Sequence, residues 1–461
     1  MELDPVLLSR LQFAFVVAFH ILLPAFTVGL AAYIVVLEGL YLFRRDEKHL
    51  RLSTLWTRIF AVSFGMGVVS GIVMPFQFGT NWSRFSDVTA DVVAPLLAYE
   101  GLTAFFLEAG FLGVMLFGRK LVPPWVHFAA AVLVGIGTLF SSFWILAVNS
   151  WMQTPQGYEI VDGRFFPADW LQVIFTPSFP YRIAHTVTGF FATTAFVVVG
   201  VAAYYLRHRR HVEEAKIMMS MTFWLLTALV PLQIVLGDLH GLNTLEHQPA
   251  KLAAMEGLWE SGKGVPAVIF AIPDEEAETN RAEIAIPKLA SLYLRHSIDG
   301  EVQGLKAFPK EDRPPVAPVF FAFRIMVGIG VLMLVMVLWS LVLRSRGRLF
   351  SSPPFLAACQ AMIPAGFIAV IAGWTVTEVG RQPWVVYGLM RTRDAVSPTL
   401  TGADVAVSLA LYMVVYAIVF GAGLFYLVRL AKAGPPAHVD VRDPKLGERP
   451  ARPLSAADVD A

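Results

Sequence analysis

The stretch "FLAACQAMIPAGFIAVIAGWTVTEVGRQPW", residues 355–384, decides the fold class of this chain. It carries no charge from Phe355 up to Glu378 and is long enough to cross a bilayer as one helix. The cation of Arg381 follows the carboxylate within one helical turn. A charged side chain inside a bilayer costs about 2.5–3.5 kcal/mol on insertion scales. Glu378 therefore has either a partner or a function.

The composition indicates that the whole chain is an integral membrane protein. Of its 461 residues, 56% are hydrophobic and 15% are charged, whereas a soluble domain has about 25% charged residues. The formal net charge of +1 argues against a nucleic acid or another polyanion as partner. The single cysteine, Cys359, excludes a disulfide framework and a thiolate-rich metal cluster. The N-terminal residues do not have the pattern of a removable signal peptide.

Apolar runs of about 20 residues recur along the chain and predict an all-α integral membrane protein with about nine transmembrane helices. The predicted spans lie near residues 12–42, 54–79, 93–118, 126–148, 182–206, 217–237, 319–343, 355–377 and 404–429. They divide the chain into residues 1–237 with six spans, a long extracytoplasmic loop at 238–318, residues 319–430 with three spans, and a cytoplasmic tail at 431–461. The tail is polar and rich in proline, so we expect it to be disordered.

The charges of the connecting segments predict the orientation. The segments "FRRDEKHLR", "GRK", "RHRRHVEEAK" and "RSRGR" contain four, two, four and three Lys or Arg residues. The short segments on the other side are less basic, and their cations are Arg10, Arg84, Arg164, Arg182, Arg381, Arg391 and Arg393. Because basic loops stay in the cytoplasm, we expect the N-terminus outside and the C-terminus inside. The long loop, hereafter the outer loop, then lies outside, and its segment "EIAIPKLASLYLRH" is predicted to form a short amphipathic helix.

Polar residues inside the spans cluster at one depth. Those in the outer third of the membrane are His20, Glu100, His185, Met326 and Glu378. Glu108 lies deeper, because eight helical residues separate it from Glu100 by about 12 Å along the axis. The same spacing rotates it by about 80°, so the two carboxylates are expected on adjoining faces.

Each of these residues also has an ordinary structural explanation. An intramembrane His can be a hydrogen-bonded packing residue, a lone Met is most often packing, and Glu378 and Arg381 can neutralise each other. His127, which follows "VPPW" at a cytoplasmic boundary, is expected to be an interface residue. Two His, one Met and two Glu at one depth are harder to explain by packing. Imidazole, thioether and carboxylate all ligate haem iron, and the lack of a CxxCH motif predicts non-covalent haem.

Eight motifs in order along the chain resemble subunit I of the cytochrome bd-type quinol oxidases. They are "SRLQFAFVVAFH", "FQFGTNWSRFSD", "YEGLTAFFLEAGF", "WILAVNSWMQTP", "AHTVTGF", "KLAAMEGLWE", "FAFRIM" and "GRQPW". The resemblance extends from the first span to the eighth, in register with the predicted topology.

The resemblance implies three haems. His185 and Met326 match the axial pair of the low-spin haem, called b558, which accepts electrons from quinol. His20 and Glu378 match ligands of the two high-spin haems, b595 and the oxygen-reducing haem d, and which residue serves which haem is left open. Glu100 matches a carboxylate beside that pair and is a further candidate ligand.

The resemblance also implies roles for neighbouring residues. Arg324, two residues before Met326, and Arg381 are expected beside haem propionates. Trp374, one turn from Glu378, is expected to pack on a macrocycle.

A proton route is implied as well. Glu108 resembles the proton-conducting carboxylate of the family, and Ser141 of the fourth span lies at about the level of Glu100. Ordinary helix packing is the alternative for Ser141.

The outer loop corresponds to the quinol-oxidising loop, in which Lys251 and Glu256 match implicated residues. Quinol oxidation releases two protons, so a carboxylate acceptor and a cation near the forming anion make chemical sense. Five helical positions differ by about 140°, so the two residues are not expected on one face; a solvated charge pair is the alternative. The loop has no long charged insertion, like the short-loop, often cyanide-insensitive branch, in which a third b-type haem can replace haem d.

The sequence thus predicts subunit I of a terminal quinol oxidase in the bacterial inner membrane. Quinol is oxidised outside, O2 is reduced to water, and proton uptake from the cytoplasm generates a proton-motive force. Expected partners are subunit II, a small single-helix accessory subunit, membrane quinol and O2, with no nucleic acid. The alternatives are a colourless proton-coupled transporter and a cytochrome that passes electrons onward.

Overall fold

The computed structural model describes residues 3–441. Within that range nine helical segments are long and apolar enough to cross a membrane, which confirms the predicted all-α membrane fold. These segments, spans 1 to 9, are Pro5–Arg44, Glu47–Thr80, Ser83–Lys120, Pro124–Gln153, Phe179–Arg207, Val212–His247, Val316–Ser345, Pro353–Val379 and Gly402–Ala433. The part of the predicted polar tail that follows Val441 lies outside the described residues.

Three spans are interrupted, and in spans 1 and 3 the interruption lies close to a candidate ligand. Span 1 consists of helices Pro5–Leu22 and Pro24–Arg44, and span 8 of helices Pro353–Ala361 and Ala365–Val379. Span 3 consists of Ser83–Glu100, a π-helical turn at Gly101–Phe105, Phe106–Phe117 and a 3-10 turn at Gly118–Lys120. The break in span 1 falls before Pro24 because proline has no N–H to donate to the preceding turn. His20 therefore lies in the last turn of a helix, and Glu100 directly precedes the π turn.

The ends of spans 6 and 7 differ from the sequence expectation. Span 6 continues to His247, beyond the predicted end at 237, and span 7 begins at Val316. Hydropathy marks where a helix leaves the apolar layer, whereas the helix itself continues until Pro249 opens the next element. The outer loop of the structure is therefore residues 248–315.

The outer loop is folded into short elements. It contains two helices, Pro249–Glu256 and Leu289–Arg295, which we call the first and second loop helices. Its strands pair antiparallel, Ala267–Asp274 with Thr279–Ile286 and Gly262–Lys263 with Glu301–Val302, and 3-10 turns follow at Leu305–Ala307 and Lys310–Asp312. The second loop helix confirms the predicted short helix in this segment.

Two smaller connections at the same end of the spans as the outer loop also form short elements. Tyr158–Val161 pairs with Arg164–Pro167 and is followed by a helix at Trp170–Ile174. Trp384–Val386 pairs with Met390–Arg391 and is followed by a 3-10 turn at Thr392–Asp394.

Packing and hydrogen bonds fix the outer loop on the ends of the spans. Leu258 and Trp259 of the loop are buried in one cluster with Val319 of span 7 and Val376 of span 8. The carboxylate of Glu275 accepts a 2.9 Å hydrogen bond from the backbone N–H of Val316, the first residue of span 7. That bond satisfies one of the free N–H groups at a helix start. The loop therefore forms a fixed cover over the region where the candidate ligands lie.

Candidate functional site

Glu378 lies in a polar cluster formed by spans 4, 5 and 8. Its carboxylate forms an ion pair with Arg381, one turn along the chain. It also accepts hydrogen bonds from Asn149 Nδ2 at 2.9 Å and from Gln153 Nε2 at 3.3 Å. The Asn149 amide oxygen in turn accepts a bond from the buried Arg182. The structure therefore gives Glu378 several partners, as its position in an apolar stretch required.

Lys251 reaches this cluster from the outer loop. Its Nζ donates a 2.6 Å hydrogen bond to Gln153 Oε1, and the residue is only 4% exposed. Burial and the neighbouring Arg182 hold the pKa of Lys251 well below its ordinary value, while the charge of Glu378 acts in the opposite direction. Lys251 thus belongs to the surroundings of Glu378, and its role in quinol binding stays a prediction.

The cluster has more cations than anions. The cations of Arg182 and Arg381 and the amine of Lys251 surround one carboxylate, Glu378. Arg381 is 5% exposed, and its Nε and Nη1 have no hydrogen-bond partner in the described part of the chain. Buried donors of this kind normally have acceptors, and unpaired buried cations are costly. The cluster is therefore suited to anionic groups such as the propionates of a haem.

His20 is held by span 2. Its Nδ1 lies 3.0 Å from Ser70 Oγ, which leaves Nε2 as the ring nitrogen for another ligand. A Cβ atom at Gly71 would lie 3.1 Å from His20 Cε1. The close approach of the histidine thus depends on a glycine in the facing helix.

His185 and Met326 are each packed against a glycine. A Cβ at Gly237 of span 6 would lie 3.1 Å from His185 Cε1, and a Cβ at Gly373 of span 8 would lie 2.8 Å from Met326 Sδ. His185 Nε2 lies 3.3 Å from the Gln233 amide nitrogen, and its Nδ1 has no partner among residues 3–441. A buried imidazole nitrogen without a partner fits a metal ligand. Trp374 lies beside Gly373 on span 8 and is half-buried.

Glu100 and Glu108 both contact span 4. Ser141 Oγ donates a 2.8 Å hydrogen bond to Glu100 Oε1. Glu108 packs against Gly137, where a Cβ atom would lie 2.6 Å from Glu108 Cγ. The α-helical spacing predicted adjoining faces, but the π turn between the two residues has i→i+5 bonds and so turns less per residue. It rotates Glu108 back toward the side of Glu100. The structure therefore places Glu100, Ser141 and Glu108 along the contact between spans 3 and 4.

Glu256 lies on the first loop helix and points away from Lys251, as their spacing predicted. It is 3% exposed and accepts a 2.6 Å hydrogen bond from the hydroxyl of Tyr293 on the second loop helix. Burial raises the pKa of Glu256, while the Tyr293 hydrogen bond and the charge of Arg324 oppose that rise.

Arg324 contacts the outer loop. Its guanidinium donates to peptide oxygens of the outer loop, among them Met255 at 2.7 Å and Ile269 at 3.2 Å, and lies over the Phe320 ring. Two helical positions differ by about 200°, so Arg324 and Met326 point to opposite sides of span 7. In this structure Arg324 clamps the outer loop to span 7, and its place beside a haem propionate stays a prediction.

Sequence reasoning missed several of these residues. Asn149 and Gln153 lie inside the quoted motif "WILAVNSWMQTP", and Arg182 was counted only as a loop charge. The signal for the two amides was their position at the depth of Glu378. Tyr293 carries no signal of its own, because its contact depends on how the outer loop folds.

A second buried polar cluster lies at the end of the helices away from the outer loop. Glu38 of span 1, which the sequence analysis overlooked, pairs with Arg119 and accepts a hydrogen bond from Ser53. His127 Nδ1 lies 3.2 Å from the same carboxylate, and His127 is 2% exposed. His127 near the start of span 4 is thus buried against Glu38, and its location at the membrane interface stays a prediction.

The chain is similar along its length to known proteins. The profile of the family described as "Cytochrome bd terminal oxidase subunit I" matches residues 8–435. The cytochrome bd ubiquinol oxidase subunit 1 of Bacillus subtilis (strain 168) is 37% identical over 445 residues, which cover 94% of each chain. The cytochrome bd-II ubiquinol oxidase subunit 1 of Escherichia coli (strain K12) is 31% identical over 504 residues, with 94% of this chain and 98% of the relative covered.

A solved structure agrees with the sequence comparisons. The bd oxidase from Geobacillus thermodenitrificans matches with a TM-score of 0.88 at 30% sequence identity, and the match covers 94% of this chain and 100% of the solved one. These matches confirm the resemblance that the eight motifs carry. The chain belongs to the cytochrome bd terminal oxidase subunit I family.

Proposed function

We propose that this chain is the haem-binding subunit of a terminal oxidase that oxidises membrane quinol on its outer side and reduces O2 to water. As a member of this family it is part of a bd-type quinol:O2 oxidoreductase of the bacterial inner membrane. The observation that carries the more detailed proposal is the buried cluster around Glu378, which holds two arginines and one lysine against one carboxylate. A cluster of this kind needs additional anions, and haem propionates supply them.

The residues of the chain fit three haems. His185 and Met326 hold the low-spin haem b558, supported by the unpartnered Nδ1 of His185 and by the glycine that faces each ligand. His20 and Glu378 hold the two high-spin haems, b595 and either haem d or a third b-type haem. Glu100 lies beside them as a further candidate ligand.

Other residues position these groups. Arg381, Arg182 and Lys251 neutralise propionates, supported by the two donor atoms of Arg381 that lack partners in the described chain. Trp374 packs on a macrocycle from span 8. When bound, haem iron supplies the one-electron steps and the reduction of O2.

Quinol is oxidised at the outer loop, where Glu256 accepts a proton. Its burial favours this role, because a carboxyl with a raised pKa is a better proton acceptor near neutral pH. Lys251 and Glu256 lie on the same loop helix but have different partners, Gln153 and Tyr293. We therefore assign Lys251 to the cluster around Glu378. Arg324 keeps the loop in place through its bonds to peptide oxygens.

Protons for water reach the high-spin haems from the cytoplasm along span 3. Glu108 passes them toward Glu100, and the Ser141 hydroxyl supports the acceptor carboxylate at 2.8 Å. The basic connecting segments support an outer N-terminus and a cytoplasmic C-terminus. Release of quinol protons outside and uptake inside then separate charge across the membrane.

The chain acts with other subunits. Its relatives are named as subunit 1 of their oxidases, which implies a subunit II. A small single-helix accessory subunit is a further proposed partner. Span 9 exposes apolar side chains such as Leu411, Ile418 and Phe425, which either lipid or such subunits cover.

The experiment that tests this proposal is a reduced-minus-oxidised spectrum of purified complexes that carry single substitutions. Met326→Leu and His185→Ala are expected to lose the low-spin signal and to keep the high-spin signals. The matched controls are Met333→Leu, two turns along the same helix, and His208→Ala, an exposed histidine at the far end of span 5. A low-spin signal that persists in both ligand variants would contradict the assignment, and a colourless complex would favour a transporter.

A further inference from the structure

Glu256 and Tyr293 meet although they lie on different helices of the outer loop. The Tyr293 hydroxyl donates to Glu256 Oε2 at 2.6 Å, which is a short bond for an O–H donor and a carboxylate acceptor. Glu256 Oε1 has no hydrogen-bond partner among the described residues. The carboxyl group is therefore held by one oxygen, and its other oxygen is free to accept.

The backbone of Glu256 is fixed separately from its side chain. Arg324 donates to the peptide oxygens of Met255 at 2.7 Å and of Glu256 at 3.3 Å. These bonds hold the end of the first loop helix on span 7. The orientation of the carboxyl then depends on the one side chain that bonds it, Tyr293.

We propose that Tyr293 is a positioning residue for quinol oxidation, which holds Glu256 so that its free oxygen accepts the proton of the quinol hydroxyl. This inference rests on the proposed function, in which Glu256 is the proton acceptor. In the step, the quinol O–H bond breaks and its proton moves to Glu256 Oε1. The second hydroxyl proton leaves to the outer aqueous phase, and a bound haem would take up the two electrons one at a time, so that quinone is the product.

The hydrogen bond also sets the proton affinity of Glu256. A donor to a carboxylate stabilises the ionised form, and the ionised form is the one that accepts the proton. Tyr293 of the second loop helix and Arg324 of span 7 are the ionisable groups that act on Glu256. Burial and the charge of Glu256 raise the pKa of Tyr293, so the phenol keeps the proton that it donates. Removal of the hydroxyl therefore makes Glu256 ionise at a higher pH.

The test is the pH profile of kcat/KM for quinol-dependent O2 uptake by the purified complex with subunit II. In Tyr293→Phe the acid limb is expected to move to higher pH by about one unit, because a hydrogen bond to a charged group is lost. The haem spectrum is expected to stay unchanged. Tyr158→Phe, on an outer hairpin where Tyr158 packs against Trp151 and Phe165, is the matched control and should leave the limb in place.

Each other outcome overturns the proposal. An unchanged acid limb means that Tyr293 does not act on Glu256, and an equal loss of rate at every pH means a packing role. Loss of the haems or failure to assemble means a folding role.

The failure of this inference can be distinguished from failure of the proposed function. Glu256→Gln is expected to lose most of the quinol oxidase activity, and full activity in that variant would remove Glu256 as acceptor. If Glu256→Gln loses activity while Tyr293→Phe keeps the wild-type profile, only the role of Tyr293 fails. In the double variant, Tyr293→Phe is expected to cause no further shift.

Discussion

Asn149 of span 4 donates a 2.9 Å hydrogen bond to Glu378 of span 8, a residue 229 positions later in the chain. The oxygen of the same amide accepts from Arg182 of span 5. One uncharged side chain thus connects the carboxylate to a buried cation and fixes three spans relative to one another. The proposed high-spin site depends on this link.

Replacement of Asn149 by Leu is expected to reduce O2 uptake at least tenfold, because a hydrogen bond to a charged group contributes about 1.5–3 kcal/mol. The measurement is quinol-dependent O2 consumption by the purified complex, with haem content determined in parallel. Gln360→Leu, whose amide bonds Arg207 at the other end of span 8, serves as control. A fully active Asn149→Leu complex would show that Glu378 does not need this amide.

Gly373 is expected to control the ligation of the low-spin haem. An alanine Cβ there would lie 2.8 Å from Met326 Sδ and would push the thioether away. Because a His/Met pair raises the potential of a haem, Gly373→Ala should lower the low-spin midpoint potential and slow quinol oxidation at least tenfold. Redox titration of the low-spin absorbance measures this effect.

The control for that substitution is Gly330→Ala, on the same span as Met326. A Cβ at Gly330 meets no described atom within 4 Å, so the low-spin potential should stay at its wild-type value. Equal potentials in both variants and the wild type would argue that Met326 is a packing residue.

Proton uptake is expected to depend on the carboxyl group of Glu108. Glu108→Gln should reduce turnover about a hundredfold, the lower end of what a proton-transfer group contributes, while quinol still reduces the low-spin haem. Glu108→Asp should keep part of the rate. The assay is O2 uptake and external pH change in proteoliposomes, with Glu47→Gln, at the start of span 2, as control. Normal proton uptake in Glu108→Gln would place the route elsewhere.

Substitution of Arg324 distinguishes two roles for this residue, a clamp that holds the outer loop and a partner of a haem propionate. If it clamps the loop, Arg324→Gln should make residues 248–315 several-fold more sensitive to trypsin and raise the KM for quinol, because its bonds to peptide oxygens are lost. The exposed Arg281, which pairs with Asp274 in the same loop, provides the control Arg281→Gln. A changed low-spin potential with unchanged proteolysis would support the propionate role that the sequence suggested.

Hydropathy was sufficient to predict the nine spans of residues 3–441 and the long connection between spans 6 and 7, because a bilayer imposes length and polarity on every spanning helix. The candidate ligands could also be found, since a polar residue inside an apolar span is rare. Glu38 carries the same signal, because its carboxylate lies inside the first span.

The contacts of the site could not be predicted in the same way. The π turn after Glu100 changes the angle to Glu108, and nothing in the local composition announces it. Lys251, Tyr293 and Arg324 acquire their partners from the fold of the outer loop, which brings together residues far apart in the chain. Periodicity gave the side of the helix on which Glu256 lies, but not the residue that it meets there.

The most direct test of the account is a pyridine haemochrome determination on the purified wild-type complex, combined with quinol-dependent O2 uptake. The account predicts three haems per complex, either two b-type with one chlorin-type haem or three b-type, together with O2 uptake that depends on quinol. A complex that contains no haem, or one that contains haem and does not consume O2 with quinol, would contradict it.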